Sequence, residues 1–194
     1  MEYYPIKRNG SKFELLHYSV WDRIQPPPPT NVVISYNERG FNVHFVSYET
    51  NLRAEETVCN APVCEDSCME VFFQYDPAND ARYINIEINP NGVAYCAVCF
   101  NRHQYQLISP EDIKQLDIGT KIFDDRWEID YRIPKALIRK YIPTYQHRYG
   151  SVLRGNFFKC GDKTDHPHYG CFHDIDWGNP DFHRPELFAS FRLE

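Results

Sequence analysis

The sequence predicts an all-β fold, a β-sandwich of the immunoglobulin-like or jelly-roll-like kind with two antiparallel sheets and one or two short helices. Aromatic residues make up 15% of the 194 residues, and aromatic side chains are enriched in strands. Fourteen prolines indicate many loops. Long helical periodicity is almost absent, whereas alternation of apolar and polar residues recurs along the chain.

Nine segments have the alternation, or the β-branched and aromatic content, that is typical of strands. They are residues 12–18, 31–36, 41–48, 68–75, 82–89, 93–100, 126–133, 151–160 and 188–193. The turns Asn37-Glu-Arg-Gly40 and Asn89-Pro-Asn-Gly92 end in glycine, as tight hairpins require. They predict two turn-joined strand pairs.

Two short helices are expected between the strands. Ser109 is a capping residue, Pro110 occupies the first helical position and two acids follow, so residues 110–116 form a turn or two. Residues 134–141 also begin with proline and place Leu137, Ile138 and Tyr141 on one side. Both helices are expected to pack over a sheet end.

Length and charge limit the classes of protein that fit. We assign residues 1–194 to a single domain, because all-β domains often reach this size undivided. The net charge is -6, and the sequence contains no block of like charges, so we expect no nucleic-acid partner. The sequence contains no run of about 18 apolar residues, so it predicts no membrane span. Met1-Glu-Tyr-Tyr-Pro5 lacks the pattern of a secretory signal, so a cytoplasmic location is expected.

Seven cysteines, an odd number, indicate mostly free thiols in a reducing compartment. Cys96-Ala-Val-Cys99 has the CxxC spacing of zinc and redox sites. These cysteines lie in an apolar run that predicts a strand, where residues three apart point to opposite faces. We therefore interpret both as buried structural residues rather than as ligands of one metal.

The strand at residues 82–89 has an informative second face. One face is apolar and consists of Ile84, Ile86 and Ile88, and the other carries Tyr83, Asn85, Glu87 and Asn89. Hydroxyls of a sugar need fixed donors and acceptors beside a surface on which a ring can stack. This second face is either a carbohydrate-binding surface or an ordinary solvated sheet face.

The strand at residues 68–75 extends the same pattern. Met69, Val71, Phe73 and Tyr75 are expected to face the core, which places Glu70 and Gln74 on the polar face. The Glu70 carboxylate would accept hydrogen bonds from a sugar diol, or it would form a structural ion pair with an arginine. The strand at residues 126–133 alternates cleanly, with Trp127, Ile129, Tyr131 and Ile133 inward, and indicates structure alone.

Four motifs in this order resemble the family 9 carbohydrate-binding modules and their family 9-like relatives, the DOMON-like sandwiches. They are Asp66-Ser-Cys-Met-Glu70-Val-Phe-Phe, Tyr83-Ile-Asn85-Ile-Glu87-Ile-Asn89-Pro-Asn-Gly92, Trp127-Glu-Ile-Asp-Tyr-Arg-Ile-Pro134 and Arg154-Gly-Asn156-Phe-Phe-Lys159-Cys-Gly-Asp162, the last continuing through His166-Pro-His168-Tyr to Pro180-Asp-Phe182-His183-Arg-Pro185-Glu-Leu-Phe188. The resemblance covers about residues 20–194.

The resemblance implies a β-sandwich that holds sugars, often at chain ends, between aromatic rings and polar groups. By motif, the implied polar contacts are Glu70, Asn85, Glu87, Asn156 and Lys159, and Tyr83 lies on the same polar face. Phe172 stands where such relatives tend to have tryptophan, and Trp177 lies five residues on. Structural calcium also occurs in this family, and a loose set of oxygen ligands is present here, namely Asp162, Asp165, Asp174 and Asp176.

Three other functions remain open from the residues. A glycoside hydrolase would use Glu70 and Glu87 as its two carboxyl groups, although a shallow polar face would offer no hydrophobic pocket to raise one pKa. A haem domain of a related sandwich would bind haem through Met or His, and of the two methionines, Met1 and Met69, the second is expected to face inward. Zinc ligation is conceivable for His166, His168, His173 and His183, although loop-fixing hydrogen bonds are the simpler role for His168 and His183.

The sequence thus predicts non-catalytic binding of a mono- or oligosaccharide, or of a glycan chain end, in carbohydrate catabolism. We assign no catalytic residue, no metal ligand and no cofactor. Because such modules usually serve an attached enzyme, a glycoside hydrolase is the expected protein partner.

Overall fold

Two β-sheets packed face to face form the framework of the computed structural model, which describes residues 3–15, 26–175 and 180–194. The larger sheet has eight strands: β1 (Tyr4–Ile6), β5 (Cys68–Gln74), β6 (Tyr83–Ile88), β7 (Ala94–Asn101), β8 (Gln104–Leu107), β11 (Val152–Gly161), β12 (His168–Cys171) and β13 (Ala189–Leu193). The smaller sheet has five: β2 (Ser11–Glu14), β3 (Thr30–Asn37), β4 (Gly40–Ser47), β9 (Gly119–Ile122) and β10 (Trp127–Pro134). The predicted β-sandwich is confirmed.

The strand order of the larger sheet is β1-β13-β11-β5-β6-β7-β8, and β12 pairs with the end of β11. The order of the smaller sheet is β2-β3-β4-β10-β9. Neighbouring strands run antiparallel as predicted, with one exception. Strand β1 pairs with β13 in parallel, with Tyr4 opposite Phe191.

Both predicted hairpins are present, and their glycines explain the tight turns. Asn37 and Gly40 pair across the β3–β4 turn, and Gly40 has a φ of 143°. A Cβ atom there would lie 2.1 Å from the carbonyl oxygen of Ile133, so no larger residue fits. Gly92, with a φ of 73°, closes the β6–β7 turn by donating its N–H to Asn89.

The two predicted helices are also confirmed. Helix α1 (Pro110–Ile113) continues into a 3-10 turn (Lys114–Leu116), and the Ser109 hydroxyl accepts the N–H of Asp112 at 3.2 Å. Helix α2 (Lys135–Tyr141) follows β10 directly and buries Leu137 and Ile138. None of the described helices has the length and apolar character needed to cross a membrane.

Four strands were not predicted, namely β1, β8, β9 and β12. Each has three or four residues, which is too short for alternation to stand out. Strands β8 and β9 are edge strands with little burial. Residues 16–18 of the first predicted strand lie outside the described part of the chain.

The main core fills the space between the sheets. It includes the inward residues predicted from alternation: Met69, Val71, Phe73, Tyr75, Ile84, Ile86, Ile88, Trp127, Ile129, Tyr131 and Ile133. Full burial of a side chain of this size contributes about 1.5–3 kcal/mol. Cys96 belongs to this core, whereas Cys99 lies in a separate cluster, which confirms that the two thiols of the CxxC sequence face apart.

A second apolar cluster covers the outer face of the larger sheet. Phe72, Tyr83 and Phe158 from the strands pack against Phe182 and Phe188 from the segment before β13. The expectation of a shallow polar face without a hydrophobic pocket is therefore wrong. The segment at residues 180–188 and the 3-10 turn Val63–Glu65 lie over this face and leave a cleft between them.

Candidate functional site

The cleft on the outer face of the larger sheet has a volume of about 220 Å³. Strands β5, β6, β11 and β12 form its floor, and the β7–β8 turn and residues 180–183 contribute to its walls. Its lining combines aromatic rings with ionisable groups and consists of Cys64, Glu70, Phe72, Glu87, Arg102, Cys160, Asp162, Tyr169, Pro180, Phe182 and His183.

Two carboxyl groups lie side by side on the floor of the cleft. Glu70 on β5 is directly opposite Glu87 on β6 in the strand register, and such pairs have Cβ atoms about 4.5–5.5 Å apart. The two residues are only 2% and 6% exposed. Among the described residues, neither carboxylate forms an ion pair with a lysine or an arginine.

Glu87 is held in place by an amide from its own strand. The Asn85 side chain donates to Glu87 Oε1 at 2.7 Å and accepts the N–H of Ala97 at 2.8 Å. Asn85 is fully buried, so its role is to position Glu87 rather than to contact a ligand.

Glu70 is surrounded by thiols. The Cys160 thiol on β11 donates to Glu70 Oε1, with sulfur and oxygen 2.9 Å apart, and Cys68 also hydrogen-bonds the carboxyl group. Hydrogen bonding to thiols satisfies the carboxyl group without supplying a positive charge.

Burial without a cation raises the pKa of both carboxyl groups. The pKa of Glu70 rises to about 7, mainly through loss of hydration. Burial also raises the pKa of Glu87 well above its usual range, and the charge of Glu70 adds to this effect. A substantial fraction of the Glu70 carboxyl group is therefore protonated at pH 7, so the floor can donate as well as accept hydrogen bonds.

Aromatic rings form one wall of the cleft. Phe182 stacks on Phe158 with ring centroids 4.1 Å apart and planes at 9°. His183 lies against Phe72 at 5.0 Å and hydrogen-bonds the Tyr83 hydroxyl through Nδ1 at 2.7 Å. Burial lowers the pKa of His183 to about 4, so its ring is neutral at pH 7 and presents no charge to a ligand.

Charged groups occupy the rim. Arg102, in the turn between β7 and β8, pairs with Asp181 at 3.3 Å and is half exposed. The Tyr169 hydroxyl hydrogen-bonds Asp162, whose pKa is raised by burial. The cleft lining therefore offers both a guanidinium donor and a carboxyl group.

Lys159 lies on the opposite face of the sheet from the cleft. It is opposite Met69 in the register, which belongs to the main core, and it is fully buried between the sheets. Its ammonium group donates to Glu49 at 3.0 Å, to His168 Nε2 at 2.8 Å and to the Cys160 carbonyl at 2.7 Å. All three N–H groups are used, which leaves none for a ligand in the cleft.

The remaining predicted residues also lie away from the cleft. Asn156 is fully buried, and its amide binds the backbone N–H and carbonyl of His173 at 2.9 and 2.7 Å. Phe172 packs at one end of the main core, with its ring 4.8 Å from that of Phe13. Trp177 lies outside the described residues. Of the eight predicted contacts, the structure places the side chains of Glu70 and Glu87 in the cleft lining and Tyr83 and Asn85 directly behind it.

Several cleft residues were not among the predicted sugar contacts. Asp162, Phe182 and His183 lie within the fourth sequence motif, so the motif itself could have indicated them. Tyr169 follows His168 in the same motif. Arg102 had no signal, because it lies in a turn whose position over the sheet depends on the pairing of β7 with the edge strand β8.

The histidines and aspartates considered as metal ligands are not brought together among the described residues. His168 binds Lys159 and His183 binds Tyr83, so both have the loop-fixing role expected from the sequence. In the described part of the chain, one group of three potential ligands has its donor atoms within 4.8 Å of one another. It consists of Cys68, Glu70 and Cys160.

A β-sandwich with a cleft lined by aromatic rings, carboxyl groups and a guanidinium has the features of a small-ligand-binding module. The chain matches the model of carbohydrate-binding family 9 over residues 5–193, and it belongs to this family. No protein of curated function matches it.

Solved structures have the same fold. A protein from Bacteroides uniformis ATCC 8492, for which carbohydrate binding is itself inferred, is 24% identical, with a TM-score of 0.86 over 96% of this chain and 87% of its own. A family 9 module from Caldicellulosiruptor kristjanssonii in complex with glucose is 12% identical, with a TM-score of 0.62 over 100% and 96% of the two chains. A family 9 module from Caldicellulosiruptor kristjanssonii in complex with cellotriose is 11% identical, with a TM-score of 0.64 over 100% of this chain and 94% of its own.

Proposed function

We propose that the protein binds a carbohydrate in the cleft and does not cleave it. The observation that supports this most strongly is the composition of the cleft, where the cross-strand pair Glu70 and Glu87 lies beneath an aromatic wall. Sugar recognition needs both elements, because C–H faces pack on rings while hydroxyls need fixed hydrogen-bonding groups. Membership of carbohydrate-binding family 9 supports the same ligand class.

The size of the cleft suits one sugar ring. The volume of the cleft is about 220 Å³, whereas pockets that bind drug-sized ligands have volumes of about 300–1,000 Å³. We propose that one ring of a monosaccharide or of a chain end enters, with Glu87 and Asp162 accepting from hydroxyls and Arg102 donating. The neutral His183 ring and Phe182 would contact the apolar face of the sugar.

Glucose and cellotriose are the first probes, because they occupy the Caldicellulosiruptor modules of the same fold. Isothermal titration calorimetry should detect saturable binding to the purified protein in the presence of EDTA. Glu87→Gln should weaken it about tenfold, because the amide nitrogen that replaces one carboxyl oxygen cannot accept a hydrogen bond from a sugar hydroxyl. Glu38→Gln is the matched control, because Glu38 lies exposed in the β3–β4 turn.

The controls decide between outcomes. Equal weakening by Glu38→Gln would contradict a site in the cleft, and so would unchanged binding in Glu87→Gln. If neither probe binds, a panel of other mono- and oligosaccharides follows, and silence across that panel would refute carbohydrate binding itself.

The proposal that the protein does not cleave its ligand rests on the two carboxyl groups. A glycosidase needs one protonated carboxyl group and one ionised partner in environments that push their pKa values apart. Burial raises the pKa of both Glu70 and Glu87, and no described cation pairs with either. Release of reducing sugar from oligosaccharides, lost in Glu70→Gln or Glu87→Gln, would contradict this. A glycoside hydrolase partner stays a prediction.

A further inference from the structure

We propose that Cys68, Glu70 and Cys160 form a binding site for a thiophilic divalent cation of the Zn²⁺ type, with the fourth coordination position facing the cleft. This site goes beyond the proposed function, because it is defined by protein ligands alone and its occupancy can be measured without any sugar.

The strand register brings the three ligands together. Cys68 on β5 and Cys160 on β11 are directly opposite each other, and Glu70 follows Cys68 by two residues on the same face of β5. Their donor atoms lie within 4.8 Å of one another, and Cys160 Sγ is 2.9 Å from Glu70 Oε1. Zinc bonds of about 2.0–2.3 Å place tetrahedral ligands about 3.3–3.8 Å apart, so side-chain shifts of about 1 Å complete the geometry.

The donor set selects the kind of metal. Two sulfurs and one carboxylate oxygen are typical of Zn²⁺, whereas Ca²⁺ and Mg²⁺ require oxygen ligands. Three protein ligands leave one tetrahedral position open. Because Glu70 and Cys160 line the cleft, that position is reachable by water or by a ligand hydroxyl.

The charge balance of the cleft favours a cation independently of this geometry. The lining contains three carboxyl groups, those of Glu70, Glu87 and Asp162, and two thiols, those of Cys64 and Cys160. Arg102 is the one lysine or arginine among the described lining residues, and it is already paired with Asp181. The Lys159 ammonium is directed to the opposite side of the sheet, so a divalent ion would supply the charge that the cleft lacks.

Binding exchanges protons for the metal. Each thiol loses its proton and binds as a thiolate, and Glu70 binds as a carboxylate. Burial raises the pKa of Cys68 to about 12 and that of Cys160 well above its usual range. Both thiols are therefore protonated in the metal-free protein, and affinity for the cation is expected to increase with pH.

Cobalt is the spectroscopic probe for this site. The protein is reduced, freed of metal with a chelator and titrated with Co²⁺ in the absence of sugar. We expect a thiolate-to-cobalt charge-transfer band that saturates at one ion per chain and is displaced by Zn²⁺. Calorimetry of Zn²⁺ binding at pH 7 in buffers of different ionisation enthalpy should report release of about two to three protons, two from the thiols and a fraction of one from Glu70.

Variants separate this site from other thiols. Cys68→Ala and Cys160→Ala should abolish the band, and Glu70→Gln should weaken Zn²⁺ binding by more than the tenfold to 100-fold that loss of an outer-shell partner costs. Cys96→Ala is the matched control, because Cys96 is equally buried but lies in the main core. Circular dichroism verifies the fold of each variant.

The outcomes are distinct from those of the sugar titrations, which are performed with EDTA. Absence of a charge-transfer band from the folded wild type would overturn the metal site and leave the sugar site standing. A band that persists in Cys68→Ala, or that is lost equally in Cys96→Ala, would also overturn it. A saturable band in a protein that binds no carbohydrate would support the metal site alone.

Discussion

Buried carboxyl groups lie against both faces of the larger sheet, in contrasting surroundings. Between the sheets, Glu49 accepts from Ser67 at 2.9 Å, from the Trp127 indole at 3.1 Å and from the Lys159 ammonium at 3.0 Å. On the outer face, Glu70 and Glu87 have thiol and amide partners, and among the described residues no cation pairs with them. Both groups of carboxylates are almost inaccessible to water. Glu49 has a cationic partner between the sheets, whereas Glu70 and Glu87 have none among the described residues.

The contrast separates structural from ligand-binding polar groups. A buried charge with every hydrogen bond satisfied holds two elements together and has nothing left to offer a ligand. A buried carboxyl group without a cation retains unfavourable energy that a ligand can relieve. Lys159 and Glu87 are both buried ionisable residues, so burial and residue type do not distinguish them. Their hydrogen-bond partners do, and they indicate a structural role for Lys159 and a ligand-binding role for Glu87.

Removal of one member of the complete network should have the largest effect. Lys159→Met leaves Glu49 buried without its counter-charge, and breaking a buried pair in this way costs about 3–5 kcal/mol. Urea unfolding should report this loss in the free energy of unfolding. Glu49→Gln with Lys159→Met should recover part of it. A Lys159→Met protein of unchanged stability with impaired sugar binding would reverse the roles that we assign.

Asn85 connects the incomplete region to the sheet, and its replacement should have an intermediate effect. Asn85→Ala removes the donor to Glu87 and the acceptor of the Ala97 N–H, so we expect a loss of about 1–3 kcal/mol in stability. Sugar binding should weaken as well, because Glu87 loses its orientation. The test is urea unfolding paired with calorimetry. Intact binding in the folded variant would show that Asn85 does not position the site.

The pH dependence of stability should reveal the two cleft carboxyl groups through a smaller effect. A carboxyl group whose pKa is raised by folding contributes stability that is fully present below about pH 4.5 and is lost as the pH rises through the folded value, which is about 7 for Glu70. His168 and His183, with pKa values lowered to about 4, act in the opposite direction and do so mainly below pH 6.5. The window from about pH 6.5 to 8 therefore isolates the carboxyl groups.

In that window, the free energy of unfolding of the wild type should fall by about 1–2 kcal/mol. Glu87→Gln should flatten this decline, since it removes one titrating group and the repulsion that it exerts on Glu70. Glu38→Gln should leave the slope unchanged. A wild-type stability that rises over the same window would mean that the cleft carboxyl groups are ionised in the folded protein.

Alternation predicted most strands of the two sheets and the two carboxyl groups on the floor of the cleft. It assigned Glu70 and Glu87 to the face opposite the core, because side chains of a strand point to alternate sides. The same parity separates Asn156 from Lys159, which are three residues apart on β11, so one motif could not direct both into a single cleft. The same parity separates Cys96 from Cys99 on β7.

The walls of the cleft could not be predicted from local patterns. Residues 180–183 have no strand or helix periodicity, and their position depends on the stacking of Phe182 on Phe158 and the bond of His183 to Tyr83. The burial that raises the pKa of Glu70 and Glu87 depends on these distant contacts. A single sequence contains no local signal for such contacts.

The bond between Tyr83 and His183 joins positions 100 residues apart in the chain, and this separation has a consequence for the order of folding. Hairpins such as β3–β4 close short loops and are expected to form early, whereas contacts between distant positions wait until more of the chain is arranged. The cleft should therefore be completed among the last steps. Its ligand would then bind only chains that have finished folding. The rate at which ligand binding appears during refolding would therefore report the rate of the final folding step.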